Sequence, residues 1–118
     1  MANFKNGVIR NGSSPGSGSA IGNVKNGVIK KGSSGSAGSG TSVGNVKNGV
    51  IKKGSSGSAG SGTAIGNVKN GYVYKGSSGS AGSGSRIGRV KDYSIRGSDY
   101  MDEATAVACY HFLIKNIF

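Results

Sequence analysis

Few residues in this sequence offer chemistry, and each group can be weighed by type and spacing. "GSSPG" at Gly12–Gly16 fits G-x-S-x-G, the turn that exposes a nucleophilic serine in α/β-hydrolases. No strand-to-helix context follows it, and a chain with 24 glycines produces such matches by chance. His111 and Cys109, the only histidine and the only cysteine, lie two residues apart near the C-terminus. On a helix that separation puts them on different faces, and a zinc site would need further ligands that the sequence lacks. "GSAGSG" offers backbone amides to a phosphate, but it lacks the G-K-[ST] ending of a P-loop and the G-x-G-x-x-G order of a dinucleotide site. Catalytic residues, metal ligands, a cofactor and a small-molecule substrate are therefore not expected, and an enzyme is not predicted.

The lysines are the other chemically capable group. Lys5, Lys25, Lys47, Lys69 and Lys91 recur once per repeat of the pattern described below, beside each expected turn. They would form a ring of charge for a polyanion, a nucleic acid or an acidic glycan, extended by Lys30, Lys31, Lys52, Lys53 and Lys75. The competing structural account is that lysines protect exposed strand edges from pairing with other chains. Tyr72 and Tyr74 are nearly the only strand aromatics available for stacking bases, so sequence-specific readout of nucleic acid is not expected.

Charge is segregated along the chain. Of 15 basic residues, 13 lie in residues 1–91, where there is no acid; Asp92, Asp99, Asp102 and Glu103 all follow. Such a field attracts polyanions and also keeps a Gly/Ser-rich chain in solution. At 118 residues with 34% apolar content, there is room for one modest core. A single cysteine excludes an internal disulfide framework and favours a reducing compartment. "MANFKNGVIRNG" lacks the apolar stretch of a secretory signal, and no run of 18 apolar residues occurs, so a soluble, cytoplasmic protein is expected.

Repetition dominates the organisation. "IGNVKNG" starts at Ile21 and Ile65, "VGNVKNG" at Val43 and the diverged "IGRVKDY" at Ile87, a period of 22 residues. "FKNGVIRNG" at the N-terminus adds a first copy whose following loop is two residues shorter. Asn-Gly at 6–7, 26–27, 48–49 and 70–71 predicts two-residue type I′ hairpins; the fifth copy has Asp92-Tyr93, which suits that turn poorly. The hairpin register places Phe4/Ile9, Val24/Ile29, Val46/Ile51, Val68/Val73 and Val90/Ile95 on one face as a shared core. The opposite face, with Asn23, Lys25, Val28 and Lys30, reads as mixed and partly wet. Ile21, Val43, Ile65 and Ile87 fall on that second face unless a bulge at the following glycine redirects them.

After Gly97 the composition changes. Ser98, Asp99 or Asp102 can cap a helix predicted over about Met101–Lys115, apolar nearly all round and therefore buried against the hairpins. The domain reading is a five-repeat β domain over 1–97 (about 1–20, 21–42, 43–64, 65–86 and 87–97) and a C-terminal apolar helix over 98–118.

"NGVIKKG…SVGNV", "NGVIKKG…AIGNV", "NGYVYKG…RIGRV" and the ending "EATAVACYHFLIKNIF" resemble the five-fold β-flower family of small bacterial proteins, with its G-x-V-x-x-x-G-x-x-I-G-x-V repeats and C-terminal Ala- and Phe-rich helix. The resemblance implies five β-petals around an axis with the helix at the centre, and it implies no activity. The long Ser/Gly loops depart from the family pattern. The expected fold is thus mainly β, five β-hairpin repeats in a closed flower, propeller-like or solenoid arrangement, with one C-terminal α-helix. "SSGSAGSGT" itself reads either as flexible spacer or as silk-like extended strand.

Two functional expectations follow. The first is a non-catalytic structural or self-assembling repeat protein, a homo-oligomer or larger assembly, with Phe112, Leu113, Ile117 and Phe118 as candidate contacts. The second is a polyanion-binding module that uses Lys5, Lys25, Lys47, Lys69 and Lys91.

Overall fold

The computed structural model describes residues 2–93, 95, 97 and 102–118. Nine strands run in chain order through one antiparallel sheet: β1 (Ala2–Lys5), β2 (Val8–Asn11), β3 (Ser19–Lys25), β4 (Val28–Lys31), β5 (Thr41–Lys47), β6 (Val50–Lys53), β7 (Thr63–Lys69), β8 (Tyr72–Lys75) and β9 (Ser85–Arg89). A 3₁₀ turn over Val90–Tyr93 follows, then helix α1 (Glu103–Cys109), which widens into a π-helical turn over Tyr110–Ile114.

The hairpin turns form where Asn-Gly predicts them. Asn6, Asn26, Asn48 and Asn70 each adopt φ 53°, and the glycines that follow lie between 78° and 81°, both residues on the left-handed side as a type I′ turn demands. The resulting register pairs Phe4 with Ile9, Val24 with Ile29, Val46 with Ile51 and Val68 with Val73, all on the core face.

Among the described residues the fifth hairpin does not form. Asp92-Tyr93 cannot supply two positive-φ residues, and the chain turns instead through the 3₁₀ segment, with the Arg89 amide donating to Asp92 Oδ2 at 3.1 Å. Val90 and Ile95 still join the core, but not as a strand pair. The fold is consequently four hairpins and a ninth strand in an open meander, not a closed flower. Every connection reverses the chain, which also excludes the parallel coils of a solenoid. Among the described residues β1 and β9 do not pair with each other, although Gly97 returns to lie against the backbone of Phe4.

A bulge recurs at one position in each repeat. Ile9 faces Gly22 while Arg10 faces Ala20, so Ile21 is the extra residue; Val43, Ile65 and Ile87 occupy the same place between β4 and β5, β6 and β7, and β8 and β9. All four pack against the core, so the bulge redirects them inward. The glycine after each bulge is a socket. Gly22 accommodates Leu113, Gly44 Phe112, Gly66 Phe118 and Gly88 Tyr93, in spaces that an added Cβ would fill. Helix α1 lies on this inner face with Ala104–Cys109 all buried, and its N-cap is Asp102, whose side chain accepts from the Thr105 amide at 2.8 Å. The alternative caps Ser98 and Asp99, and the expected first helical residue Met101, lie outside the described residues.

On the outer face the Gly/Ser segments are neither flexible spacers nor paired strands. They are ordered arches. Asn3, Asn23, Asn45 and Asn67 are 0% exposed beneath them, so this face is not the partly wet one that the polar residues suggested. Asn45 Nδ2 donates to the Ser61 carbonyl at 2.6 Å while its Oδ1 accepts from the Gly60 amide at 2.8 Å. Asn23 clamps Ser39 and Gly38 in the same way, and Asn67 clamps Ser83 and Gly82. Asn3 holds the shorter first loop through Gly16, Ser17 and Gly12. Each later arch also leans on the preceding hairpin: a Cβ on Gly27 would stand 3.2 Å from that of Ala59.

Two substitutions test this account. Asn45→Ala orphans a buried amide and a buried carbonyl, so urea unfolding should show a loss of roughly 2–4 kcal/mol, with residues 54–62 becoming the first site of proteolysis. Gly44→Ala drives a methyl into Phe112 and should cost about 1–3 kcal/mol. Gly57→Ala, with nothing within 4 Å of its added methyl, should leave stability unchanged.

Candidate functional site

The two faces of the sheet carry different basic groups. On the outer face Lys25, Lys47 and Lys69 end β3, β5 and β7 in equivalent register, each opposite the first residue of the next strand, and Lys5 ends β1 likewise. All four are exposed. Their stems lie along a glycine of the arch that follows: Cδ of Lys25 is 3.1 Å from a Cβ built on Gly38, and Lys47 and Lys69 meet Gly60 and Gly82 in the same manner. Because the chain advances two strands per repeat, these cations stand about 9–10 Å apart in a row. Lys91 belongs to the 3₁₀ turn and departs from that register. The expected ring is therefore a row of four across an open sheet.

A second tier of cations secures the arches. Lys30 Nζ donates to the Gly38 carbonyl and Lys52 Nζ to the Gly60 carbonyl, both at 3.0 Å, and Arg10 reaches the Gly18 carbonyl. Arg86 lies over the Tyr72 ring at 4.6 Å, which engages one of the two strand tyrosines.

On the inner face, Lys31, Lys53 and Lys75 end β4, β6 and β8 opposite the socket glycines Gly22, Gly44 and Gly66. They flank the end of the helical segment that holds His111. Nδ1 of His111 accepts from the amides of Ile117 and Phe118 at 3.0 and 3.3 Å, which assigns the proton to Nε2. Burial, and after it the charge of Lys53, lowers the pKa of this ring, so it is neutral at pH 7. Phe112 and Phe118 pack on its two sides with centroids at 4.7 and 4.9 Å. Phe112, Leu113, Ile117 and Phe118 all pack against the core cluster, so the candidate self-association residues have contacts within the chain.

Cys109 is fully buried, and burial, with a smaller contribution from the Asp102 charge, pushes its thiol up to about 12. Protonated and enclosed, it packs as a small apolar side chain of the core. Ser14 of the G-x-S-x-G match sits in the first outer loop, hydrogen-bonded with Ser17, across the sheet from His111. His111 does line a cavity with Ser42 and Ser55, but its Nδ1 already accepts two backbone amides and its Nε2 carries the proton, so this tautomer has no nitrogen free to accept a serine proton; Asp99 lies outside the described residues. No group of three or more His, Cys, Asp or Glu suited to a metal occurs among the described residues, and none of their helices is long and apolar enough to cross a membrane.

The buried asparagines were missed because an isolated Asn on a strand reads as solvent-facing. Its signal is recurrence: an Asn precedes the Phe or Val of every copy that a Gly/Ser loop follows, as "ANF" in the first and "GNV" in the next three, and the fifth copy, which has no such loop, carries Arg89 instead. Compared with known proteins, the chain matches no family model, no curated protein and no solved structure.

The two shifted groups set the pH dependence. His111 binds its proton less readily folded than unfolded, so its contribution to stability is complete above the ordinary value of 6.5 and is lost as pH falls below it. Cys109 holds its proton more tightly folded, so stability is lost as pH rises from 9.0 toward about 12. Thermal unfolding should therefore show a plateau near pH 7–9 with declines on both sides. Relative to the parent chain, His111→Gln should flatten the acid limb and Cys109→Ala the alkaline one.

Proposed function

We propose that the protein is a non-catalytic, rigid repeat body whose outer face binds extended polyanions through Lys5, Lys25, Lys47 and Lys69. One observation carries this reading. Lys25, Lys47 and Lys69 sit on β3, β5 and β7, which are hydrogen-bonded on both sides, so there is no strand edge there for a lysine to protect. Three cations at a constant spacing, with stems laid on ordered arches and no carboxylate in the 91 residues that build the face, suit a regularly charged chain. The reading is one of backbone charge without base readout, since Tyr72 is engaged by Arg86.

The alternative, self-assembly, draws on β1 and β9, which end the sheet among the described residues. It has less support, because the apolar tail and the Gly/Ser arches that suggested it are occupied within the chain, and Arg86 and Arg89 charge the β9 edge.

Binding to random-sequence duplex DNA, measured across a salt series, tests the proposal. The triple variant Lys25→Gln/Lys47→Gln/Lys69→Gln should lower the slope of log K against log salt by about 2–3. An unchanged slope would remove the row from the interface. Light scattering on the same samples should find a monomer; a fixed, salt-indifferent oligomer would favour assembly.

A further inference from the structure

The inner face carries a second basic feature that the polyanion row does not use. Two adjacent cavities, of about 600 and 310 Å³, open beside the π-helical turn and share Lys53, His111 and Asn116 as walls. The larger adds Lys31 and Lys115, and the smaller adds Lys75. Four lysines therefore line this pair of adjoining cavities, which together form a trough, and among the described residues no carboxylate side chain lines them.

Nor do these lysines have the structural employment found on the outer face. The side chains of Lys30 and Lys52 donate to arch carbonyls, whereas those of Lys31, Lys53, Lys75 and Lys115 make no hydrogen bond or ion pair among the described residues. Complementing the helix C-terminus accounts for only part of the charge, since a helix end carries about half an elementary charge. His111 lines both cavities and adds a donor: Nδ1 is committed to two backbone amides, which leaves Nε2–H without an acceptor among the described residues yet not sealed from solvent. The π-helical turn, closed by the Lys115 amide donating to the Tyr110 carbonyl at 2.9 Å, is a geometry enriched at functional sites.

We propose that this trough is a binding site for a compact di- or triphosphate group, held by Lys31, Lys53, Lys75 and Lys115 with His111 Nε2–H as a neutral donor. The volume suits such a group, free or as the tail of a nucleotide, with Val43, Phe112 and Leu113 forming an apolar wall for whatever follows the phosphates. The site lies across the sheet from the lysine row and stands or falls independently of it.

The test is titration with inorganic tripolyphosphate at about physiological salt, followed by calorimetry and by the ring resonances of His111, which are unambiguous because the chain has one histidine. Saturable binding with a shift of the His111 signals is expected. Lys53→Gln, an exposed position, should weaken binding ~10-fold or more, the loss of one charge-assisted hydrogen bond. Lys47→Gln on the outer face should change it less than about twofold. A nucleoside triphosphate binding no tighter than tripolyphosphate assigns the site to the phosphates alone, and tighter binding adds the apolar wall. No saturable binding, or equal losses from Lys53→Gln and Lys47→Gln, would overturn the site and leave only the general field of the chain.

Discussion

The buried carboxamide of asparagine is the constraint on which the outer half of the molecule depends. A nine-residue arch of glycine, serine and alanine has almost no apolar surface with which to hold itself down, and its backbone groups need partners wherever they leave water. Asparagine provides an acceptor and a donor within one planar group, so a single side chain can pair with consecutive backbone groups as another peptide unit would. Aspartate lacks the donor and serine lacks the reach. With Asn45 in place, Gly60 and Ser61 are fixed, and the stems of Lys47 and Lys52 then have an ordered surface to lie on.

The same economy operates on the inner face with opposite chemistry. Each repeat spends one residue on a bulge, which turns Ile21, Val43, Ile65 or Ile87 inward, and one on a glycine that admits a large side chain from elsewhere. Because the sheet supplies the holes and the C-terminal segment the knobs, the helix can be short and built from small residues. Ala104, Ala106 and Ala108 let it approach the strands closely, and the side chains that fill the sockets, Phe112, Leu113 and Phe118, come after it.

Local rules made half of this readable. Asn-Gly at a fixed period dictates the turn, the turn dictates the register, and the register sorts Val24 and Ile29 from Asn23 and Lys30 without reference to anything distant. Long-range pairing was not readable in that way. That Asn23 reaches Ser39, 16 residues on, is a relation between two individually bland polar residues, and composition alone assigns their intervening loop to solvent. Closure was misjudged for a related reason: the core pattern of Val90 and Ile95 persists in the fifth copy, while the turn that would pair them is gone. Lys31 and Lys53 carry the same letter as Lys30 and Lys52, and only the parity of strand positions, fixed by Asn26-Gly27 and Asn48-Gly49, separates lysines that brace arches from lysines that line the trough.

The fifth copy behaves as a terminator, and its departures are mutually consistent. Arg89 replaces the clamping asparagine where no Gly/Ser segment follows, and Asp92 and Tyr93 replace the hairpin turn where, among the described residues, no tenth strand follows. Tyr93 then fills the socket of its own repeat at Gly88 and donates its hydroxyl to the Ile87 carbonyl at 3.2 Å. Its ring meets Tyr110 at 5.7 Å, which joins the last repeat to the end of α1. Val90 keeps the contact common to every copy after the first, its amide donating to the carbonyl of the preceding turn glycine, here Gly71 at 3.0 Å. What is retained is the docking of one repeat on the previous one, and what is altered is everything that would receive another. An array ended in this way presents a finite number of equivalent cations on one face and of glycine sockets on the other, so the length of the lysine row and the size of the helix that closes the core are set by the same repeat count.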